Sequence, residues 1–225
     1  MNNIFKRGVS GTIYVLIMFW CTIYSEITFR LLFGIIGIIS IREMWKILRN
    51  QRNKLLPMIY VIIPMIIIQY LPQQNPSKEF DPSIILFILI LIWTFDTFAY
   101  LVGSMLGKNK IAPSISPKKS WEGLLGGFVL TIIMSYFLRL ENFIVDRDVY
   151  VDPVIFSVAP FLIPITATLG DLSISYHKRK AEVKDSGNLI PGHGGILDRM
   201  DALLITIPTI FIIQECIYSF CIVIN

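Results

Sequence analysis

Stretches of Ile, Leu, Val and Phe alternate with short charged intervals along this chain, at about residues 10–28, 31–48, 55–71, 83–103, 121–138, 153–170 and 202–224. A helix that crosses a bilayer needs about 20 mainly apolar residues, within a range of roughly 17–25. Each run is close to that length. The pattern therefore predicts an all-α, polytopic integral membrane protein of about seven transmembrane helices, the first two joined by a tight turn near Glu26. No internal repeat and no soluble domain interrupts it, so residues 1–225 read as one transmembrane domain.

The intervals between the runs differ in charge. Residues 42–54 carry Arg42, Lys46, Arg49, Arg52 and Lys54, residues 104–120 carry Lys108, Lys110, Lys118 and Lys119, and residues 171–200 are also basic. They alternate with the neutral or acidic intervals 72–82 and 139–152, the latter holding Glu141, Asp146, Asp148 and Asp152. Basic loops stay in the cytoplasm. This predicts a cytoplasmic amino terminus and an outward carboxyl terminus; a bacterial-type inner membrane is the expected location.

Composition agrees with the pattern. Hydrophobic residues make up 54% of the chain and charged residues only 16%, and the mean hydropathy is +0.66, far from an ordinary soluble domain. The formal charge of +4 reports membrane orientation, so no nucleic-acid partner is expected. Cys21, Cys216 and Cys221 lie inside apolar runs without a CxxC pair, which suggests neither a disulfide framework nor a zinc site. Lys6 and Arg7 ahead of the first run imitate a signal peptide, but no small-residue cleavage motif follows, so that run reads as an uncleaved span.

The longest polar segment, residues 171–200, is where chemistry is expected. The sixth run ends at "LGD" and delivers Asp171 to the cytoplasmic mouth, where the last helix begins with Asp198 and Asp201. Residues three apart on a helix share a face. Asp185 lies between. Carboxylates gathered at the edge of a low-dielectric medium repel one another and call for a cation, and hard oxygen ligands suit Mg²⁺ carried with substrate phosphates. Ser175, His177, Lys178, Arg179, Lys180, Lys184, His193 and Arg199 interleave with them, as a polyphosphate site would require. "PGHGG" places Gly194 and Gly195 just before a helix amino terminus, where bare N–H groups favour anions. A second set supports this one. Asp96 lies in the cytoplasmic half of the fourth run, and an intramembrane carboxylate is a functional candidate by default. The following interval offers Ser116, Lys118, Lys119 and Glu122 on the same face.

The segment "SYHKRKAEVKDSGNLIPGHGGILDRMD", Ser175 to Asp201, resembles the signature of the phosphatidate cytidylyltransferase family, also called CDP-diacylglycerol synthases. Ser175, Lys178, Arg179, Lys184, Asp185, His193, Gly194, Gly195, Asp198, Arg199 and Asp201 match it, and "DTFAYLVGSMLGKNK" and "SPKKSWEG" also look like family motifs. Two positions depart from the family pattern. His177 stands where a hydrophobic residue is usual, and Ile174 where a glutamate is.

The resemblance implies that CTP and phosphatidate give CDP-diacylglycerol and pyrophosphate in a Mg²⁺-dependent reaction at the membrane face. It implies Asp171 and Asp198 as first choices for metal ligands, with Asp201 and Asp185 as further ligands or as orienters of the cations. Lys178, Arg179, Lys184 and Arg199 would clamp phosphates, with Ser175 and His193 as polar contacts. Asp96, Ser116, Lys118, Lys119, Glu122, Gly194 and Gly195 complete the expected substrate contacts. A monovalent cation beside Mg²⁺ and a homodimer are left open, as are a CTP-dependent polyprenol or phytol kinase and a transporter. If Asp171 and Asp198 hold Mg²⁺, an Asn at either position relieves carboxylate repulsion and should leave the metal-free fold as stable or more so.

Overall fold

The computed structural model describes residues 3–73, 79–140, 151–190, 192 and 194–224. Among the described residues there are seven α-helices, one for each apolar run: α1 (Asn3–Tyr24), α2 (Glu26–Ile47), α3 (Leu55–Tyr70), α4 (Ser83–Leu106), α5 (Trp121–Leu140), α6 (Pro153–Lys180) and α7 (Leu197–Ile224). Among the described residues five helical stretches are long and apolar enough to cross a membrane: Leu55–Gln73, Ser83–Leu106, Trp121–Arg139, Pro153–Lys180 and Leu197–Ile217. Gly8–Tyr24 is apolar but shorter, and α2 carries charges at both ends, among them Arg30, Arg42, Glu43 and Lys46. The chain is thus an all-α, multi-pass membrane protein.

The turn between α1 and α2 is a single residue. Ser25 caps α2: its Oγ accepts from Thr28 N at 3.2 Å while Ser25 N donates to Thr28 Oγ1 at 3.1 Å, a reciprocal pair that satisfies two otherwise bare donors. Elsewhere the boundaries move beyond the apolar runs. The sixth helix does not stop near residue 170 but continues to Lys180, so Ser175 to Lys180 are helical. Nothing in "LSISYHKRK" breaks a helix, and His177 to Lys180 place positive charge against the negative end of the helix dipole. The interval after α4 also holds more than a loop. Strands β1 (Lys110–Ala112) and β2 (Ser116–Ser120) pair as an antiparallel hairpin.

α4 packs along α5 and α6 along α7, with α3 against α7 and α1 and α2 on the other flank. The interior is apolar, with Phe29, Phe33, Phe87 and Phe95 almost wholly buried, while many large apolar side chains such as Trp20, Leu56 and Tyr136 face outward. Outward apolar surface on this scale suits hydrocarbon, not water. Two features bring α6 and α7 close. The Thr166 and Thr206 hydroxyls meet at 2.8 Å in the buried seam. At Gly170 a side-chain carbon would strike the Asp201 carbonyl oxygen, so the backbones cross where only glycine fits.

The bundle has two chemically distinct ends. At one, Gln73 Nε2 donates to Glu26 Oε1 at 3.2 Å, tying the α1–α2 turn to the end of α3. At the other, the α2 terminus, the hairpin and the α6–α7 loop meet, as the bonds of Glu43 and Lys119 described next make clear.

Candidate active site

A cavity of about 450 Å³ opens at that second end, between the ends of α4, α6 and α7 and the hairpin. Its acidic wall holds Asp96, Asp171, Asp185, Asp198 and Asp201. Its basic wall holds Lys118, Lys119, Lys178 and Arg199, with Ser116 beside them. Sequence positions more than 100 residues apart thus line one chamber, and Asp96 is exposed to it.

The carboxylates divide by what they already hold. Asp171 accepts from Ser175 Oγ at 3.0 Å, one helical turn on, and its other oxygen meets Lys119 Nζ at 2.7 Å. That ion pair fastens β2 to α6. Asp96, Asp171 and Asp201 lie within electrostatic reach of one another and of Lys119. The crossing at Gly170 accounts for the nearness of Asp171 and Asp201, because it brings the two backbones together at these very residues.

Asp198 is engaged on both oxygens. Lys178 Nζ donates to Oδ1 at 2.7 Å, while the backbone N–H groups of Ser186 and Gly195 donate to Oδ2 at 2.8 and 3.1 Å. The Lys178 and Asp198 side chains are only 10% and 8% exposed. This carboxylate therefore knots the signature loop to α6. The glycines serve the same knot. Gly194 has φ +87°, a left-handed conformation that side chains disfavour, and a Cβ there would stand 2.7 Å from Asp198 Oδ2. Its carbonyl accepts from Ile190 N at 3.0 Å, closing the turn. A Cβ on Gly195 would collide with Ser186 Oγ and with the Glu43 carboxylate.

Glu43 is the residue that the sequence reading passed over. It lies in α2 within a basic stretch, 6% exposed, and reaches across to the other end of the chain. Ile196 N donates to Oε1 at 3.2 Å, and Leu197 N and Ser186 Oγ donate to Oε2 at 2.9 and 2.7 Å. Its negative charge thus caps the amino terminus of α7, where unsatisfied N–H groups and the helix dipole favour an anion. One signal was available: a Glu among "IREMWK" near the end of an apolar run is costly unless something meets it.

Other expected site residues lie off the cavity wall. Glu122 accepts from Lys108 N, Asn109 N and Asn109 Nδ2 at 2.8 to 3.2 Å, bracing the turn that leads into β1. Arg179 donates to the Ile115 carbonyl at 3.2 Å and to that of Val183 at 3.4 Å, which holds the hairpin tip against α6. Ser175 is buried and reaches the chamber only through Asp171. Lys184 is exposed on the loop. His193 falls outside the described residues.

Among the described residues, no three His, Cys, Asp or Glu side chains are grouped closely enough to hold a metal unaided. The donor set nevertheless suits a hard divalent ion. Mg²⁺ is ordinarily held by one or two carboxylates, its remaining positions filled by water and substrate phosphates, and Asp171 with Asp201 offers such a pair beside cations able to bind those phosphates.

A profile described as "Cytidylyltransferase family" matches residues 55–217, a span that runs from α3 into α7 and contains every residue on the cavity wall. A protein of Rickettsia bellii named phosphatidate cytidylyltransferase is 32% identical over 215 residues, covering 95% of this chain and 91% of its own. Relatives of the same name from Haemophilus influenzae and Thermotoga maritima are 43% and 40% identical over 128 and 139 residues, covering 56% and 60% of this chain and 43% and 50% of theirs. The profile takes in most of the chain and the Rickettsia relative aligns along nearly all of it, so this protein belongs to the cytidylyltransferase family.

Proposed function

We propose that this protein transfers the cytidylyl group of CTP to phosphatidate, giving CDP-diacylglycerol and pyrophosphate in phospholipid biosynthesis. The observation that carries the reading is the chamber itself, in a member of this family. Lys118, Lys119, Lys178 and Arg199 face Asp96, Asp171 and Asp201 at the end of a helical bundle, where a lipid headgroup and a soluble nucleotide can meet. The reaction needs no side-chain nucleophile. A phosphate oxygen of the lipid attacks the α-phosphorus of CTP, a P–O bond forms, and the bond to the β-phosphate oxygen breaks with its electron pair leaving on pyrophosphate. Catalysis is then mainly positioning and charge neutralisation.

Roles follow from what each group holds. Arg199 and Lys118, both on the wall of the chamber, contact the triphosphate. Lys119 is held by Asp171 and delivers its charge at a fixed place. Asp171 and Asp201 are the pair that would hold Mg²⁺, with Asp96 orienting the cations opposite. When bound, the metal neutralises phosphate charge and stabilises the departing pyrophosphate. Asp198 and Lys178 support the site by fixing the loop, so Asp198 ranks behind Asp171 and Asp201 as a metal ligand.

The same reading includes topology. The three basic connections gather at the end that holds the chamber, which supports seven spans, a cytoplasmic amino terminus and a cytoplasm-facing site in the inner membrane. The test is incubation of purified protein with CTP and phosphatidate over a Mg²⁺ titration, with assay of both products. Pyrophosphate and liponucleotide in equal amounts, rising with Mg²⁺, are expected. Release of CDP instead would identify a kinase, and no nucleotide turnover at saturating Mg²⁺ would refute the reading.

A further inference from the structure

A second cavity, of about 670 Å³, lies between α1 and α2 and is almost wholly apolar. Ile13, Ile17 and Met18 from α1 face Leu32, Ile36 and Ile39 from α2 across it. It differs from the convex apolar faces elsewhere on the bundle in two ways. One end is closed by the signature loop, whose Leu189, Ile190 and Ile196 belong to its lining. Leu189 is 60% exposed within an otherwise polar stretch, a position that solvent alone does not explain. The second feature is Tyr14. Its ring lines this groove, yet its hydroxyl donates to Met200 Sδ at 3.8 Å and lies within electrostatic reach of Arg199, Asp201 and Asp96 on the wall of the polar chamber. Tyr14 thus joins the groove to α7 at Met200, the residue between Arg199 and Asp201 of the polar chamber.

We infer that the groove binds an acyl chain of the lipid substrate, with the phosphate headgroup passing beside Tyr14 into the polar chamber. The inference rests on phosphatidate being that substrate. A pocket of this size suits a drug-sized or lipid-chain ligand, and its continuity with the signature loop gives the occupant a definite end. From Val9 to Met18 the groove follows α1 for roughly 14 Å at 1.5 Å per residue, inward from the level of the headgroup. Chain and loop then touch through Leu189 and Ile190, so the loop that carries Asp185, Gly194 and Gly195 is ordered over a bound lipid.

Two measurements test this. Ile13→Trp and Ile35→Trp narrow the groove at side chains that are about half exposed, and Leu31→Trp, on the outward face of α2, is the comparator. The narrowed variants should raise the KM for dioleoyl phosphatidate about tenfold, the effect of withdrawing a methylene or two from apolar contact. The KM for CTP and turnover of dihexanoyl phosphatidate should not change, nor should any constant of Leu31→Trp. Equal losses with both lipids would overturn the inference. The second measurement is independent of turnover. A phosphatidate bearing a diazirine at the end of one acyl chain should label α1 and α2 at groove positions, and excess unlabelled phosphatidate should remove that label. Uniform labelling of all outward helix faces, unaffected by competitor, would also overturn it. Competed labelling without liponucleotide formation would leave the groove standing and refute the proposed reaction instead.

Discussion

Glu43 and Asp198 hold the signature loop between them, and both do so with charge out of water. Ser186 is the point where they meet, its N–H donating to Asp198 and its hydroxyl to Glu43. Glu43→Gln keeps the shape but turns an amide N–H₂ toward donors, so it should cost about 1–3 kcal/mol and speed hydrogen exchange at residues 186–197 while the rest of α2 keeps its protection. Unchanged exchange there would mean that Glu43 does not anchor the loop. Asp198 and Asp171 should now part company. Lys178→Ala leaves the buried Asp198 carboxylate without its cation, a loss of about 3–5 kcal/mol. Asp198→Asn should likewise lower the melting temperature, contrary to the expectation that an Asn there leaves the fold as stable or more so. Asp171→Asn breaks only a pair whose side chains are 22% and 32% exposed, worth about 0–1 kcal/mol once water screens it. It should melt near the wild type yet lose most Mg²⁺-dependent turnover. Native turnover in that variant would exclude Asp171 as a ligand. Of the wall carboxylates, Asp185, Asp198 and Asp201 were legible because the signature carries them in one short segment, and Asp96 and Asp171 because a charge within or at the end of an apolar run stands out. Glu43 was not, since its partners lie more than 140 residues away and no local spacing records them.

Helix number was legible for a reason that does not extend to helix ends. Seven apolar runs gave seven helices because burial in hydrocarbon is a property of each segment by itself. The end of a helix depends on caps and partners. Ser25 supplies a local cap and stops the first run early, whereas α6 runs on through its basic last turn until Glu182, at φ +58°, leaves the helical region. The hairpin is held largely from outside itself, by Lys119 on Asp171 and by Arg179 on the Ile115 carbonyl, so its short strands gave no alternating pattern to read. The helix crossing at Gly170 offers a test at this scale. Gly170→Leu forces α6 away from the Asp201 carbonyl and spreads the pair Asp171 and Asp201. Overpacking of this kind costs about 1–3 kcal/mol, and turnover should fall further than stability, with a weaker dependence on Mg²⁺. Gly8→Leu, where nothing lies within 4 Å, is the control. Equal behaviour of the two variants in both assays would show that the crossing does not set the carboxylate geometry.

The whole molecule is sided, and its two ends are built by different chemistry. Connections rich in Lys and Arg converge on the chamber through Glu43, Lys119 and Arg179. The opposite end is tied by Gln73 to Glu26 and by Asp81 N donating to the Pro72 carbonyl at 2.8 Å. Positive charge is retained on the cytoplasmic side during insertion, and CTP is a cytosolic nucleotide, so the proposed orientation turns the chamber inward. Asp146, in the acidic 139–152 interval, falls outside the described residues. Glu79, exposed in the 72–82 interval, reports the outer face. With Cys21, Cys216 and Cys221 replaced by Ala, Asn188→Cys should react with a membrane-impermeant maleimide only in inverted vesicles, and Glu79→Cys only in intact spheroplasts. Asn188 is exposed on the signature loop, so a lack of reaction could not be blamed on burial. An odd number of spans between an inner amino terminus and an outer carboxyl terminus also requires that a tag at residue 225 be cleaved by protease from outside. Labelling of positions 79 and 188 from the same side would break the seven-span arrangement. Labelling of 188 from outside alone would turn the chamber away from the nucleotide and remove the physical basis for cytidylyl transfer at this face.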